Sequence, residues 1–328
     1  MVRLSVFGAG RIGVIHAINA AFHPDIELVS VVDPLADAAA ALAKKTGSQV
    51  SSIDEVLADS SIQAVIIATS THTHADLSRR SLDAGKAVFC EKPIDLDLAR
   101  AKDVATWASQ SAKPYMVGFN RRFDPSLATL KKRLPEIGQM EQLLVISRDP
   151  APPPVEYIKV SGGLLRDMTI HDFDIARWLL CEPIVQVHTH AANFVDEAIK
   201  NAGDIDTVTI QLTTEKGIQC TILNSRRATY GYDQRVEAFG SLGLLQSRNH
   251  LENQIATWSS SGCQTSRLED FFLNRYKEAY KLELDDFIRA VQGQQNVSAA
   301  AEDGVAALAL AEVAYQSLES QRPVDCYL

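Results

Sequence analysis

The chain has 328 residues, against roughly 100–200 for a typical domain, so two domains or one large one are expected. Hydrophobic residues make up 46% and charged residues 22%, close to the averages of about 45–50% and 25% for folded chains, which excludes disordered and low-complexity architectures. The 41 Asp and Glu exceed the 32 Lys and Arg, and the resulting net charge of −9 repels nucleic acid and anionic lipid, so neither is an expected partner.

Cys90, Cys181, Cys220, Cys263 and Cys326 are scattered singly, with no CxxC pair. That pattern argues against a disulfide framework or structural zinc, and it suits a reducing cytoplasm. The apolar start, Met1 to Phe22, is broken by Arg11, His16 and three glycines, so it does not read as a signal peptide. No run approaches the roughly 18 apolar residues of a membrane span.

In chain order, Leu4 to Phe7 reads as a buried strand, Ile12 to Phe22 as a helix, Glu27 to Val32 as a strand and Leu35 to Lys45 as a helix. Ala64 to Ala68, Ala87 to Cys90 and Tyr115 to Val117 follow as strands, with helices at Thr73 to Ala84 and Leu96 to Ser109 between them. Continuous apolar strands joined by helical crossovers predict a doubly wound parallel sheet, the Rossmann type of α/β fold. After residue 120 the pattern changes to period two. Val208, Ile210 and Leu212 share one face, Thr207, Thr209, Gln211 and Thr213 the other, and Ile218, Cys220 and Ile222 repeat the device after a Glu-Lys-Gly turn. This predicts a hairpin in an open, mostly antiparallel sheet of a second, α+β domain. Pro150 to Pro154, four prolines in five residues, predicts a stiff extended loop. Arg166 to Leu180 and Asp270 to Gln292 read as helices, and a last helix is expected after an N-cap at Ser298. The expected domains are therefore 1–119 and 120–328, with the final helix packing back on the first.

Gly8-Ala9-Gly10-Arg11-Ile12-Gly13 follows the first strand and opens the first helix. In that context a GxGxxG run brings backbone close to a pyrophosphate at a helix N-terminus. Asp33 ends the second strand, where a carboxylate accepts hydrogen bonds from both ribose hydroxyls, and Pro34, Leu35 and Ala36 offer no arginine for a 2′-phosphate; NAD is expected rather than NADP. Glu91-Lys92-Pro93 lies at the carboxyl end of another parallel strand, the edge where such sheets bind ligands. A lysine there either neutralises a reacting oxygen or is simply solvated. In Arg166 to Asp174, helical spacing puts Asp167 and His171 on one face with Asp174 a turn further on. The pair reads as an imidazole oriented by a carboxylate, or as a surface ion pair. His72 and His74 lack a third ligand, so no metal is expected. The basic spots Asn120 to Asp124 and Arg226-Arg227 suit a small polar molecule.

Together, GAGRIG, FCEKP (Phe89 to Pro93), GFNRRFDP (Gly118 to Pro125) and GGLLRDMTIHDFD (Gly162 to Asp174) resemble the glucose-fructose oxidoreductase and inositol dehydrogenase family. SRDPAPPPVEYIKVSGG, AGDIDT and NSRRATYGYDQRVEAFGSLG are most similar to its myo-inositol 2-dehydrogenases. The resemblance implies a cytoplasmic homotetramer, assembled through the C-terminal sheet, that oxidises myo-inositol at C2 with NAD. It implies Lys92, Asp167 and His171 as the catalytic set. NAD contacts are implied at Gly8, Gly10, Arg11, Ile12, Gly13, Asp33, Thr69, Ser70, His74, Glu91 and Lys92. The polyol falls to Lys92, Asn120, Arg121, Asp149, Tyr157, Asp167, His171 and Tyr232. Family variants carry Met in place of Asn120 and Asn in place of Asp149. The residues leave two alternatives open: a dehydrogenase of another cyclitol or an aldose, and a sugar-responsive regulator without turnover.

Overall fold

The computed structural model describes all 328 residues. They fold as two compact units, Met1–Phe123 with Ala279–Leu308 and Asp124–Glu278 with Ala309–Leu328.

The first unit contains β1 (Val2–Phe7), α1 (Arg11–Ala21), β2 (Ile26–Val32), α2 (Ala36–Thr46), β3 (Gln49–Val50), α3 (Ile53–Ala58), β4 (Ala64–Ile67), α4 (His74–Asp83), β5 (Ala87–Glu91), α5 (Leu98–Gln110) and β6 (Tyr115–Gly118). The strands form one parallel sheet in the order β3-β2-β1-β4-β5-β6. Leu4, Val6, Val31, Ile66, Phe89 and Met116 are buried between covering layers that include Ala17 and Ala20 of α1 and Leu284, Phe287 and Ile288. Burial on both faces is why these strands read as unbroken apolar runs. The caps follow chemistry: Ser52 and Glu55 form a capping box on α3, and Asp97 accepts from the first amides of α5. Gly10, by contrast, starts α1 without any side-chain cap.

The second unit contains α6 (Pro125–Arg133), β7 (Met140–Arg148), α7 (Val155–Ser161), α8 (Gly163–Asp167), α9 (Ile170–Leu180), β8 (Ile184–Ala192), α10 (Glu197–Asn201), β9 (Thr207–Thr214), β10 (Gln219–Ser225), β11 (Asp233–Gly240), β12 (Gly243–Ser247), the hairpin β13 (Ala256–Ser259) and β14 (Gly262–Thr265), and α11 (Phe272–Arg275). After α12 (Lys277–Val291) and α13 (Ala301–Ser320), the short β15 (Val324–Asp325) completes a sheet in the order β12-β11-β7-β10-β9-β8-β15. Only β7 and β10 pair in parallel; every other neighbouring pair is antiparallel. The β9–β10 hairpin has the expected faces, with Val208, Ile210, Leu212, Cys220 and Ile222 buried.

Three expected helices differ. Arg166 to Leu180 is not continuous: the Leu164 carbonyl accepts from both Met168 N and Thr169 N, a widened turn that closes α8 before α9 begins. Asp270 to Gln292 breaks at Tyr276 (φ −108°, ψ 15°), whose buried ring packs edge-on against Tyr232. Ser298 does not cap α13, because its amide and hydroxyl both donate to Asp286; Asp303 instead takes the Ala300 amide. No helix is long and apolar enough to cross a membrane.

Candidate active site

Strand register sets the nucleotide edge. Phe7 pairs with Val32 on one side and Ile67 on the other, and Ile67 pairs with Cys90. Gly8, Asp33, Ala68 and Glu91 therefore all follow the same row at the carboxyl end of the sheet, with Thr69 one residue beyond. Gly8 sits at φ +104°, and a Cβ there would meet the Ala68 carbonyl at 2.3 Å; a Cβ on Gly13 would come within 2.0 Å of the Gly8 carbonyl. These two glycines let turn, helix and strand close on one another. A Cβ on Gly10 would meet nothing within 4 Å, and α1 starts there without a side-chain cap, with Arg11 exposed and Ile12 half-buried. Asp33 is locked from the inside: Oδ2 accepts from Ala9 N at 2.7 Å and Oδ1 from Leu35 N at 2.8 Å. Each oxygen keeps lone-pair capacity for a ribose hydroxyl. An anion-ready helix start beside an anchored carboxylate fits an NAD pyrophosphate and adenosine ribose.

Thr69 and Ser70 leave the β4 edge. The Thr69 hydroxyl meets that of Thr73 at 2.6 Å, and Thr73 Oγ1 donates to the Ser70 carbonyl. His74 is buried, with Nδ1 2.8 Å from the Pro93 carbonyl and Nε2 3.1 Å from the Thr69 carbonyl. Both acceptors ask for an N–H. Burial opposes the charge, but Cys90 and these two carbonyls outweigh it and raise the pKa to about 9. Both ring nitrogens join the loop after β4 to the residue following Lys92, which fixes the backbone around the cofactor edge. Glu91 is paired with His16 of α1 at 2.7 Å, and its carboxylate fills the space a Cβ on Gly118 would need. The Lys92–Pro93 bond is cis. Asn120 and Arg121 are buried in the 3₁₀ turn after β6, a turn held by Arg122 on the Ser298 carbonyl and Asp303.

In the second unit the same kind of register argument defines an edge. Arg148 pairs with Ser225 and with Asp233, so Asp149, Arg226 and Tyr232 emerge side by side from β7, β10 and β11. Asp233 is fully buried and anchors this edge by accepting from Arg148, Tyr230, Arg235 and Asn249. Burial works against its charge, yet the bonds from Arg235, Tyr230 and Asn249 depress its pKa to about 2.

Asp167 ends α8 and His171 is the second residue of α9, so the widened turn, rather than one regular helix face, sets their relative placement. Behind His171, α9 is pinned to the sheet through fully buried Asp172, which accepts from Ser147 Oγ and from Asn224 Nδ2 at 2.8 Å. Thr169 Oγ1 donates to Asn224 Oδ1 at 2.6 Å. Tyr157, 47% exposed, donates to Asp167 Oδ1 at 2.9 Å. Asp174 is buried. The first unit thus brings Gly8, Gly10, Arg11, Ile12, Gly13, Asp33, Thr69, Ser70, Glu91 and Lys92 to one sheet edge; in the second, Asp149 and Tyr232 leave one sheet edge with Arg226 between them, and Arg226 and Tyr157 both reach Asp167.

Sequence reasoning missed three groups. His16 gives no signal as the partner of Glu91, because 75 residues separate them. Asp204 is one acidic residue among 41. Arg226, half of what reads as a surface-like basic spot, is 1% exposed and ion-pairs with Asp204 and Asp167.

Comparison with known proteins agrees with this layout. The model of the oxidoreductase family with an NAD-binding Rossmann fold, GFO/IDH/MocA, matches residues 2–119, and the GFO/IDH/MocA C-terminal domain matches residues 130–246. The chain is 47% identical over 326 residues to inositol 2-dehydrogenase of Rhizobium meliloti, covering 99% of each. It is 40% identical to myo-inositol 2-dehydrogenase of Thermotoga maritima over 98% of both chains. The crystal structure of a myo-inositol dehydrogenase from Corynebacterium glutamicum superposes with a TM-score of 0.94 at 43% identity, covering 99% of this chain and 98% of that one.

Proposed function

The chain belongs to the GFO/IDH/MocA family of NAD-binding oxidoreductases, and from that premise we propose that it oxidises myo-inositol at C2 to the 2-keto inositol with formation of NADH. The observation that carries this reading is the 47% identity to an inositol 2-dehydrogenase along 99% of both chains.

When bound, NAD supplies the hydride acceptor. The chain's own groups do the rest. His171 removes the hydroxyl proton at C2, a general-base action worth about 10²–10⁴ in rate. Asp167 orients the imidazole and balances the imidazolium that forms. The Lys92 ammonium stabilises the developing alkoxide. Asn120, Arg121, Asp149 and Tyr232 fix the remaining hydroxyls, with Tyr157 acting through Asp167, to which it donates. A site built to pair each hydroxyl rejects isomers that leave its polar groups unpaired. A homotetramer fits the half-exposed, Thr-rich face of β9 on the open sheet, and a cytoplasmic setting fits five unpaired thiols.

The test is NADH formation measured with myo-, scyllo- and chiro-inositol and glucose, for the wild type and for Lys92→Met. Myo-inositol is expected to give the highest kcat/KM, and Lys92→Met to lower kcat by at least about 10³-fold with NAD affinity nearly intact. A preference for glucose over every inositol, or near-normal turnover without Lys92, overturns the reading.

A further inference from the structure

Behind Asp167 lies a charge cluster that the proposed reaction does not yet use. The Arg226 guanidinium is 1% exposed. Its NH2 donates to Asp204 Oδ2 at 3.3 Å, its NH1 lies 3.8 Å from Asp167 Oδ2, and its Nε has no partner. Asp204 uses its other oxygen to accept the Leu164 amide at 3.0 Å, in the first turn of α8, the helix that ends at Asp167. Tyr157 from α7 holds the other Asp167 oxygen. Other ionisable groups lie close by. Tyr315 of α13 packs against this turn, its phenol pushed up to about 12 by burial and by Asp204, and Arg166 is paired with Glu312. On α9, Asp172 is tied to Ser147 and Asn224.

A buried arginine shared between two carboxylates is a poor way merely to hold one helix turn, since burying charges is worthwhile only where they are matched. Arg226 and Asp204 carry opposite charges in the network that reaches Asp167. We infer that Arg226 and Asp204 are positioning residues for the proposed reaction: together they hold Asp167 in place and contribute opposite charges to the field that the His171 imidazolium meets. This rests on the base assignment made above and extends it to residues that act through Asp167.

Charge-changing variants separate this role from a merely structural one, because the two partners pull in opposite directions. Asp204→Asn keeps the shape and the acceptor for Leu164 N but removes a negative charge. It is expected to move the acid limb of the kcat/KM profile to lower pH by about half to one unit, with kcat falling about tenfold. Arg226→Gln removes the positive charge and is expected to move the same limb to higher pH, with kcat falling about 10–100-fold; Arg226→Lys should return the limb to within about 0.3 units of wild type. If Arg226→Gln does not fold, Asp204→Asn decides alone: a downward shift supports the assignment, and an unmoved or upward limb overturns it. If both variants fold, limbs that stay in place or move the same way overturn it. His171→Gln is the control for the underlying reading. If that variant keeps the acid limb, the base assignment itself is wrong, an outcome distinct from failure of the Arg226–Asp204 role.

Discussion

The two units hold their polar groups in place by different means. At the nucleotide edge the work is done by backbone: glycines that admit carbonyls at otherwise forbidden distances, a helix start with no side-chain cap, and an aspartate clasped by two main-chain N–H groups. At the edge where Asp149, Arg226 and Tyr232 emerge, side chains hold side chains, through Asp172 with Ser147 and Asn224, Asp233 with two arginines, and Arg226 with two aspartates. A backbone cradle recognises a part common to every dinucleotide, whereas a side-chain network can be altered one residue at a time.

On this contrast, the largest effect should come from disturbing the backbone cradle. Gly13→Ala drives a Cβ to within 2.0 Å of the Gly8 carbonyl, a contact with main chain that no rotamer relieves. We expect about 3 kcal/mol of destabilisation, the upper end of ordinary overpacking, and at least a tenfold weaker NAD affinity. Thermal unfolding and NAD titration check both. Unchanged values would mean that the α1 start yields easily and that the cradle is not rigid.

The side-chain edge should instead show itself through pH. Asp233 has a pKa depressed to about 2 from its ordinary 3.8. A depressed carboxylate contributes stability that is complete above its unfolded pKa and is lost as pH falls through the folded value. From the size of the shift, about 2 kcal/mol should disappear between about pH 5 and about pH 2. Asp233→Asn should lack this component, so its stability deficit relative to wild type should shrink across that window in urea unfolding. A deficit constant with pH would show that the network contributes shape without charge.

The same contrast explains what could be read from the chain. The strands β1, β2, β4, β5 and β6 announce themselves because burial on both faces forces unbroken apolar runs, and GAGRIG with Asp33 is a local pattern whose chemistry needs no distant partner. The two-residue β3 has no such run, and its residues are exposed. In the second unit the β9–β10 hairpin is legible from alternation alone. The break between α8 and α9 is not, because Thr169 leaves the helix to reach Asn224, 55 residues away. Ser298 has the right side chain for a cap but spends it on Asp286. Arg226 looks like half of a surface RR pair; only the fold brings Asp204 and Asp167 around it. Of the predicted site, the roles that depend on local backbone are readable, and those that depend on long-range side-chain pairing are not.

The smallest expected change tests where the two modes meet in one residue. Asp33 is a side chain, but it is held by Ala9 N and Leu35 N, so its removal disturbs recognition and cradle together. In Asp33→Ala the ribose loses its carboxylate acceptor, which lowers kcat/KM with NAD, and the repulsion of a 2′-phosphate disappears, which raises kcat/KM with NADP. Pro34, Leu35 and Ala36 supply no cation to bind that phosphate, so the preference should narrow without inverting. A roughly tenfold fall in the NAD-to-NADP ratio of kcat/KM, equivalent to about 1.4 kcal/mol, is expected. The freed Ala9 amide adds a second consequence: affinity for NAD should fall further than loss of the ribose bonds alone requires. Asp33→Asn keeps one acceptor oxygen but turns its NH2 toward the Ala9 or Leu35 amide, so it should also lose NAD affinity while still admitting NADP. An unchanged cofactor ratio in both variants would place ribose discrimination elsewhere and leave Asp33 as a brace for the Gly8–Gly10 turn.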